Sequence, residues 1–273
     1  EQYLSNALIG RRGDFSETVR PGPHAYDGSY TQLEIQWEGL DARIETAHAG
    51  KDLVILISPN SIPHDRMKVI IESGMLWNRQ GNLSRKINQL KAVCPGKTIK
   101  VFTTSVPVDD DPYIDVKTPY LAVWLDGEIG ISTGKKRTLL EIKKAIEIQK
   151  VSLQSEAEKF GELAEPYIAV QAGIAWNLIY EPKFDRVVST VGRLWNEEYG
   201  GFCTFGWDNF FLAYMTGLAS QDLAFANVIE HLRGKTKQGF IPNDNRGNGS
   251  KSFDRSQPPV GGIMVKEVYK TYP

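Results

Sequence analysis

The chain has 273 residues, of which 41% are hydrophobic and 10% aromatic, enough to bury the cores of two domains or of one large domain. Lys and Arg total 32 against 33 for Asp and Glu, so the net charge of −1 gives no electrostatic reason to bind nucleic acid or an anionic membrane. The two cysteines have neither CxxC nor Cys/His spacing, and no stretch approaches about 18 apolar residues, so no zinc site, disulfide framework or membrane-spanning helix is indicated. We expect a polar or neutral ligand.

The first part of the chain, residues 1–134, is predicted to be a β-sandwich domain. From Tyr30 to about Val123, segments such as TQLEIQWEGLDARIET alternate apolar and polar residues, and DLVILISP is a short apolar run that ends in Pro. Pro-Asn, Pro-Gly and Asp-Gly turns separate the segments, and no long amphipathic helix alternates with them. This pattern favours a sandwich over βαβ units.

The rest of the chain is predicted to be helical. Apolar residues at helical intervals predict a linker helix over 135–160, followed by a helical domain over 161–273. The segment PYIAVQAGIAWNLIYEP is apolar nearly all round and predicts a buried helix that ends at Pro182. Further helices are predicted at NFFLAYMTGL, at SQDLAFANVIEHLRG with Ser220 as its N-cap, and through IMVKEVYKTY with Pro258 or Pro259 in its first turn.

Asp208 follows Trp207 within an aromatic-rich stretch, GFCTFGWDNFF. A carboxylate among aromatic residues needs hydrogen-bond donors, and sugar hydroxyls are such donors while the C–H face of a pyranose stacks on an aromatic ring. Asp208 could instead be the N-cap of the helix that follows. The residue types alone leave both interpretations open.

A second polar cluster lies in the stretch GFIPNDNRGNGSKSFDRSQPP, Gly239 to Pro259. The side chains of Asn243, Arg255 and Gln257 offer the mixture of donors and acceptors that a polyhydroxylated, uncharged ligand needs. A turn-rich loop with an Asx cap and a structural Arg–Asp pair would have a similar composition. The segment from Asp244 is similar to a calcium loop, but Arg stands at its third position where an oxygen ligand is required, and no metal is predicted.

The motifs Trp207-Asp208, Gly239-Phe240-Ile241-Pro242-Asn243 and Arg255-Ser256-Gln257-Pro258-Pro259 occur in this order. They resemble the trehalase pattern of Trp-Asp, Gly-x-Ile-Pro-Asn-Gly and Arg-Ser-Gln-Pro-Pro. They are similar also to glycoside hydrolase family 63, the bacterial α-glucosidases and mannosyl-oligosaccharide glucosidases of the same clan. Bacterial members of family 63 have an N-terminal β-sandwich that trehalases lack, so the β-rich first half favours family 63.

The resemblance, specific over about Arg193 to Pro273, implies a β-sandwich followed by the start of an (α/α)6 toroid, with residues 161–273 as the N-terminal part of that barrel domain. It implies an oligosaccharide substrate and no cofactor, and it leaves the location open between a bacterial periplasmic or secreted protein and a cytoplasmic one. The residues implied to line the subsite for the non-reducing glucose are Trp207, Asp208, Asn243, Arg255 and Gln257, with Arg193 as the counterpart of an Arg that precedes Trp-Asp in trehalases.

The sequence also departs from the family pattern. In the family, the general acid and general base lie in Glu-Ser-Gly-x-Asp-like and Glu-x-Tyr-Asn-like motifs downstream of Arg-Ser-Gln-Pro-Pro, and neither motif occurs here; we interpret the upstream Glu72-Ser73-Gly74 as coincidence. Asp244 replaces the second Gly of the trehalase pattern. About four predicted helices follow residue 160, whereas the toroid has six hairpins. We therefore expect the chain to be the N-terminal portion of a longer protein, with no catalytic residue of its own and the acid and base beyond Pro273.

The function predicted by the resemblance is inverting hydrolysis of α-glucosidic bonds in an oligosaccharide, to which this chain supplies the sugar-binding part of the site. A non-catalytic carbohydrate-binding protein is an alternative, since it would explain the missing carboxylates without further chain. Another enzyme on the same toroid, such as a trehalase, an epimerase or a phosphorylase, is a third interpretation.

Overall fold

The structure is a computed structural model that describes residues 18–37, 39–61, 67–75, 80–108, 118–181, 184–191 and 201–273. The described residues form a mixed β and α fold with one large antiparallel sheet and five α-helices. The chain divides into two compact units, Glu1–Glu165 and Pro166–Pro273.

The strands of the first unit are β1 Thr18–His24, β2 Tyr30–Trp37, β3 Leu40–Ala49, β4 Asp52–Pro59, β5 Lys68–Glu72, β6 Asn82–Lys86, β7 Gln89–Cys94, β8 Lys97–Thr103, β9 Tyr120–Trp124 and β10 Ile129–Thr133. Eight of them form an antiparallel sheet in the order β1-β2-β3-β4-β10-β8-β7-β6, and β5 pairs with β9 in a separate sheet of two strands. This arrangement agrees with the prediction of a β-rich first half.

The central strand β4 is buried on both faces of the large sheet. Val54 and Leu56 belong to the apolar cluster under the first helix, whereas Ile55 and Ile57 pack in the cluster that joins the large sheet to β5 and β9. A strand covered on both faces has no solvated side, which explains why DLVILISP is an apolar run and does not alternate. The smaller sheet thus covers one face of the larger one, as in a sandwich.

Helix α1, Leu139–Glu158, covers the other face of the sheet. It begins with a capping box, in which Thr138 Oγ1 accepts from the Glu141 N–H and the Glu141 carboxylate accepts from the Thr138 N–H. Hydrogen bonds from the Thr138 N–H and hydroxyl hold the pKa of Glu141 below its usual value. Its Ile142 is fully buried, in space that Gly130 leaves because a Cβ there would lie 2.7 Å from Ile142 Cδ1. The segment predicted as a linker helix is therefore packed on the sheet of the first unit.

The remaining helices are α2 Ala164–Ala175, α3 Gly206–Thr216, α4 Gln221–Arg233 and α5 Gly261–Thr271. Between them lie the strands β11 Leu178–Glu181, β12 Arg186–Ser189, β13 Cys203–Phe205 and β14 Asp244–Arg246, paired as β11–β12 and β13–β14. No helix in the described part of the chain has the length and apolar character needed to cross a membrane.

Two predicted helix boundaries are wrong and one predicted cap is confirmed. The helix expected to reach Pro182 ends at Ala175, because the β-branched and aromatic residues that follow pair with β12 as strand β11. Helix α5 begins at Gly261, after the two prolines that were expected in its first turn. Ser220 is the N-cap of α4, and its hydroxyl accepts from the Leu223 N–H at 3.3 Å.

Helices α3, α4 and α5 share one apolar core. Phe210 and Ala213 of α3, Ala224 and Val228 of α4, and Val268 of α5 are all buried in it. The outer sides of the same helices expose large apolar side chains, among them Tyr214, Leu218, Phe225, Ile229, Ile263 and Tyr269.

The docking of α1 on the sheet can be tested by truncating Ile142. We expect Ile142→Ala to lower the free energy of unfolding of the first unit by about 2–5 kcal/mol, because it removes buried methyl groups and leaves a cavity. The matched control is Leu140→Ala in the same helix, where the side chain is 77% exposed and the expected change is below about 0.5 kcal/mol. Urea unfolding followed by circular dichroism would measure both, and equal effects would contradict the packing described here.

Candidate functional site

The two-stranded sheet of β13 and β14 fixes the start of helix α3. Phe205 pairs with Asp244 in this sheet, and the next residue, Gly206, donates its N–H to the Asn243 backbone carbonyl at 3.1 Å. The first N–H groups of a helix have no partner within the helix. The strand ladder satisfies one of them here, and it thereby holds Asn243 against the first turn of α3.

The Asn243 and Gln257 side chains meet at this point. Asn243 is buried, with 4% of its surface exposed, and its Oδ1 accepts a hydrogen bond from Gln257 Nε2. Among the described residues, neither Asn243 Nδ2 nor Gln257 Oε1 has a further partner. The pair therefore keeps one donor group and one acceptor for a ligand.

Trp207 and Asp208 lie in the first turn of α3. The Trp207 ring is 41% exposed and contacts Phe211 edge to face, with 6.2 Å between the ring centroids. Burial raises the pKa of the Asp208 carboxyl, and hydrogen bonds from its own backbone N–H and from the Trp207 side chain partly offset that effect. The N-cap of α3 is Phe205, so the interpretation of Asp208 as an N-cap is wrong. Its carboxylate belongs to the third residue of α3, within the first turn, where the helix dipole favours negative charge.

The candidate Arg255 is not brought into this group. Arg255 is exposed, and its guanidinium pairs with the neighbouring Asp254; within the described ranges it has no contact with the other candidate residues. The Arg–Asp pair that the sequence offered as a structural alternative is thus present in the fold. Arg193 lies outside the described residues.

A buried polar network that the sequence analysis missed holds α3, α4 and β12 together. Asn209 Oδ1 accepts from the Phe205 N–H at 3.0 Å, and its Nδ2 donates to the Ser189 carbonyl at 2.9 Å. Asn227 accepts from the Ser189 N–H and donates to the Ser189 hydroxyl, both at 3.1 Å. The available signal was an asparagine in the middle of an apolar helix, which is unfavourable there unless its amide is hydrogen-bonded.

His231 of α4 lies behind the first turn of α3. It is 2% exposed and stacks edge to face on Phe210 at a centroid distance of 5.2 Å. Neither ring nitrogen has a hydrogen-bond partner among the described residues. Desolvation lowers the pKa of His231 to about 4, so the imidazole is neutral at pH 7.

A cleft of the second unit lies elsewhere. It measures about 400 Å³, and its lining includes Phe184, Arg186, Phe202, Glu230 and Asn245 but none of the candidate residues. Its charged and aromatic groups are largely engaged with one another, since Arg186 pairs with Glu230 at 2.9 Å and its guanidinium lies 5.1 Å from the Phe184 ring. The cleft also holds the Asn245 amide, neither end of which has a hydrogen-bond partner among the described residues. We locate the candidate site at α3 because residues of the three family-like motifs meet there beside the exposed Trp207 ring.

Two further features of the described residues concern metal ligands and the thiol of Cys203. Within the ranges that the structure describes, no three His, Cys, Asp or Glu side chains are grouped so that they could hold a metal ion. In the segment similar to a calcium loop, the Asp244 carboxylate accepts from Arg246 Nε at 3.2 Å. Burial raises the pKa of the Cys203 thiol to about 11, which keeps it protonated near neutral pH.

No protein-family model matches the sequence, and no curated protein matches it either.

The buried, neutral state of His231 predicts a pH dependence of stability. The unfolded chain protonates His231 near pH 6.5, whereas the folded protein does so near pH 4, so folding becomes less favourable as the pH falls through this window. We expect the wild type to lose about 2–3 kcal/mol of unfolding free energy between pH 6.5 and pH 4.5 through this residue.

Urea unfolding of the second unit at the two pH values would measure the loss. His231→Leu should remove that part of the pH dependence, while His48→Leu, at an exposed position in the first unit, should leave it unchanged. An equal pH dependence in the wild type and in His231→Leu would contradict the assignment of a buried neutral imidazole.

Proposed function

We propose that this chain is the sugar-recognition part of an inverting α-glucosidase of the family 63 type, with the second unit as the start of an (α/α)6 toroid. The observation that carries the proposal is the contact between Asn243 and Gln257 beside the first turn of α3. Asn243 and Gln257, from two of the three motifs that resemble the family pattern, thus meet beside the helix turn that carries Trp207 and Asp208 of the third. Such convergence is typical of a ligand site and is not needed for a solvated loop.

Each residue has a role that follows from its chemistry. Trp207 offers an exposed ring on which the C–H face of a pyranose can stack. Asp208 accepts hydrogen bonds from a pair of sugar hydroxyls, which replace the water that burial removes from its carboxylate. The Asn243 and Gln257 amides offer a donor and an acceptor to the same ring, and an epimer with a misplaced hydroxyl would leave these groups unpaired.

The arginines complete the proposal less directly. Arg255 is a fixed set of donors for glucose hydroxyls in the family pattern, and in this chain its guanidinium would turn from the exposed Asp254 toward the ligand. Arg193 has the same proposed role on the strength of the resemblance alone.

In this proposal the chemistry is supplied by two carboxyl groups outside this chain. An inverting pair stands about 6.5–9.5 Å apart, so that one carboxylic acid protonates the glycosidic oxygen and the other carboxylate activates a water. The exposed apolar side chains on α3, α4 and α5, such as Tyr214, Phe225 and Tyr269, support a toroid in which further helices cover them. They weigh against a free-standing sugar-binding domain, which would leave them in water.

Fluorescence of Trp207 tests the binding half of the proposal. We expect glucose to change the tryptophan emission of the 273-residue chain with a Kd of about 1–10 mM, because a sugar would cover an exposed indole. Trp207→Phe should remove the change while the five other tryptophans of the six remain. A wild-type chain that shows no response to glucose, or a response that survives Trp207→Phe, would contradict the proposed site.

The same chain is expected to hydrolyse neither maltose nor nitrophenyl α-glucoside, since the proposal gives it no acid or base. Turnover by the purified chain, after controls for contaminating enzyme, would refute the proposal that the acid and the base lie outside this chain.

In the complete enzyme we expect Asp208→Asn to lose most of its activity, by about 100-fold or more, because the carboxylate that accepts hydrogen bonds from the sugar hydroxyls is neutralised. Its circular dichroism should be unchanged. Near-normal kcat/KM would remove Asp208 from the site.

A further inference from the structure

Gly206 lies where any other side chain would collide with Gln257 unless Gln257 moved. A Cβ built on it would lie 2.8 Å from Gln257 Cγ, 2.9 Å from Gln257 Cβ and 3.7 Å from His231 Nε2. Gly206 is the first residue of α3 and has no left-handed φ, so its backbone conformation is open to any amino acid. Space, and not conformational freedom, therefore requires glycine at this position.

The space is taken up by Gln257. Its side chain lies against the Gly206 backbone, and its amide donates a hydrogen bond to the side-chain Oδ1 of Asn243. The backbone carbonyl of Asn243 in turn accepts a hydrogen bond from the Gly206 N–H. Gly206 thus touches both members of the amide pair. A side chain at position 206 would push Gln257 away from the helix and pull its amide off Asn243.

The residues behind the first turn of α3 are packed more tightly than Gln257. His231 and Phe210 stand behind the first turn of α3, with 2% and 6% of their surfaces exposed, and they pack on each other. Gln257 is less buried and lies in the segment between the exposed Arg255 and the start of α5. Under steric pressure the Gln257 side chain is the part that moves, because close-packed cores resist displacement more than loops do.

We propose that Gly206 is a positioning residue for sugar recognition: its missing side chain lets Gln257 lie across the first turn of α3 and hold the Asn243 amide in the orientation that meets a glucose hydroxyl. The inference rests on the proposed function for its sugar role. Its geometric part, that Gly206 sets the position of Gln257, is independent of any ligand.

The experiment compares Gly206→Ala with Gly262→Ala in the 273-residue chain. Gly262 lies in the first turn of α5 with open space where its Cβ would stand, so it is a matched glycine without the steric conflict. The readouts are the side-chain amide resonances of Asn243 and Gln257 in nitrogen-15 NMR spectra, and the Kd for glucose from the Trp207 fluorescence titration.

We expect Gly206→Ala to shift both amide resonances toward those of free amides and to weaken glucose binding about 10-fold, and Gly262→Ala to do neither. In a Gln257→Gly background, which clears the space, Gly206→Ala should cause no further loss of affinity and should recover any loss of folding. Unchanged resonances and affinity in Gly206→Ala, or an equal loss of affinity in the Gln257→Gly background, would overturn the inference. A wild-type chain that binds no glucose would overturn the proposed function and the sugar role, while the amide resonances would still decide whether Gly206 positions Gln257.

Discussion

The hydrogen bond from the Gly206 N–H to the Asn243 carbonyl is the constraint on which the candidate site depends. It extends the β13–β14 ladder by one residue into helix α3, so a strand and a helix share the same backbone group. The loop that carries Asn243 is thereby fixed at the helix N-terminus, where exposed N–H groups and the helix dipole favour acceptors and negative charge. It also holds the loop residue Asn243 beside the helix turn that carries Trp207 and Asp208.

The side-chain amides near this hydrogen bond differ in whether both of their ends, or only one, are hydrogen-bonded. Asn209 and Asn227 use both ends of their amides on β12 and on the helix backbone, which makes them structural. Asn243 and Gln257 use one end each on one another and keep the other end free among the described residues. The difference between these two asparagine environments separates scaffold from candidate site, although all these residues are of the same chemical type.

The cleft beside the paired strands β13 and β14 is concave, and its charged side chains form ion pairs with one another. Arg186 pairs with both Glu181 and Glu230, and Glu230 also accepts from Arg233. A ligand there would have to compete with ion pairs that are already formed, although it would also meet the Asn245 amide, which has no hydrogen-bond partner among the described residues. The site at α3 differs in its exposed Trp207 ring and in the contact between the motif residues Asn243 and Gln257.

Local patterns in the sequence predicted a large part of the fold. The β-rich half, the Ser220 cap and helices α3 to α5 follow from periodicity, capping and turn chemistry, because these signals lie within a few residues of the elements they specify. The strand at Leu178–Glu181 was missed because its pairing with β12 is a tertiary contact that overrides the apolar pattern. The role of α1 as a cover of the sheet was missed for the same reason.

The candidate site could be predicted only as a set of residue types. Trp207, Asp208, Asn243 and Gln257 follow from composition and from the family resemblance. The contact of Asn243 with the start of α3 depends on the pairing of two three-residue strands that are distant in sequence, which no local pattern reveals. Gly206 gave no signal at all, since a glycine before a helix has many explanations until its neighbours in space are known. His231 likewise became distinctive only through its burial.

A crystal structure of the 273-residue chain soaked in glucose tests the central claim most directly. The account predicts a pyranose stacked on Trp207, with hydroxyls within hydrogen-bond distance of the Asp208 carboxylate and of the Asn243 or Gln257 amide. A sugar bound instead in the cleft beside Phe202 and Asn245, or well-diffracting crystals at saturating glucose with no sugar at α3, would contradict it.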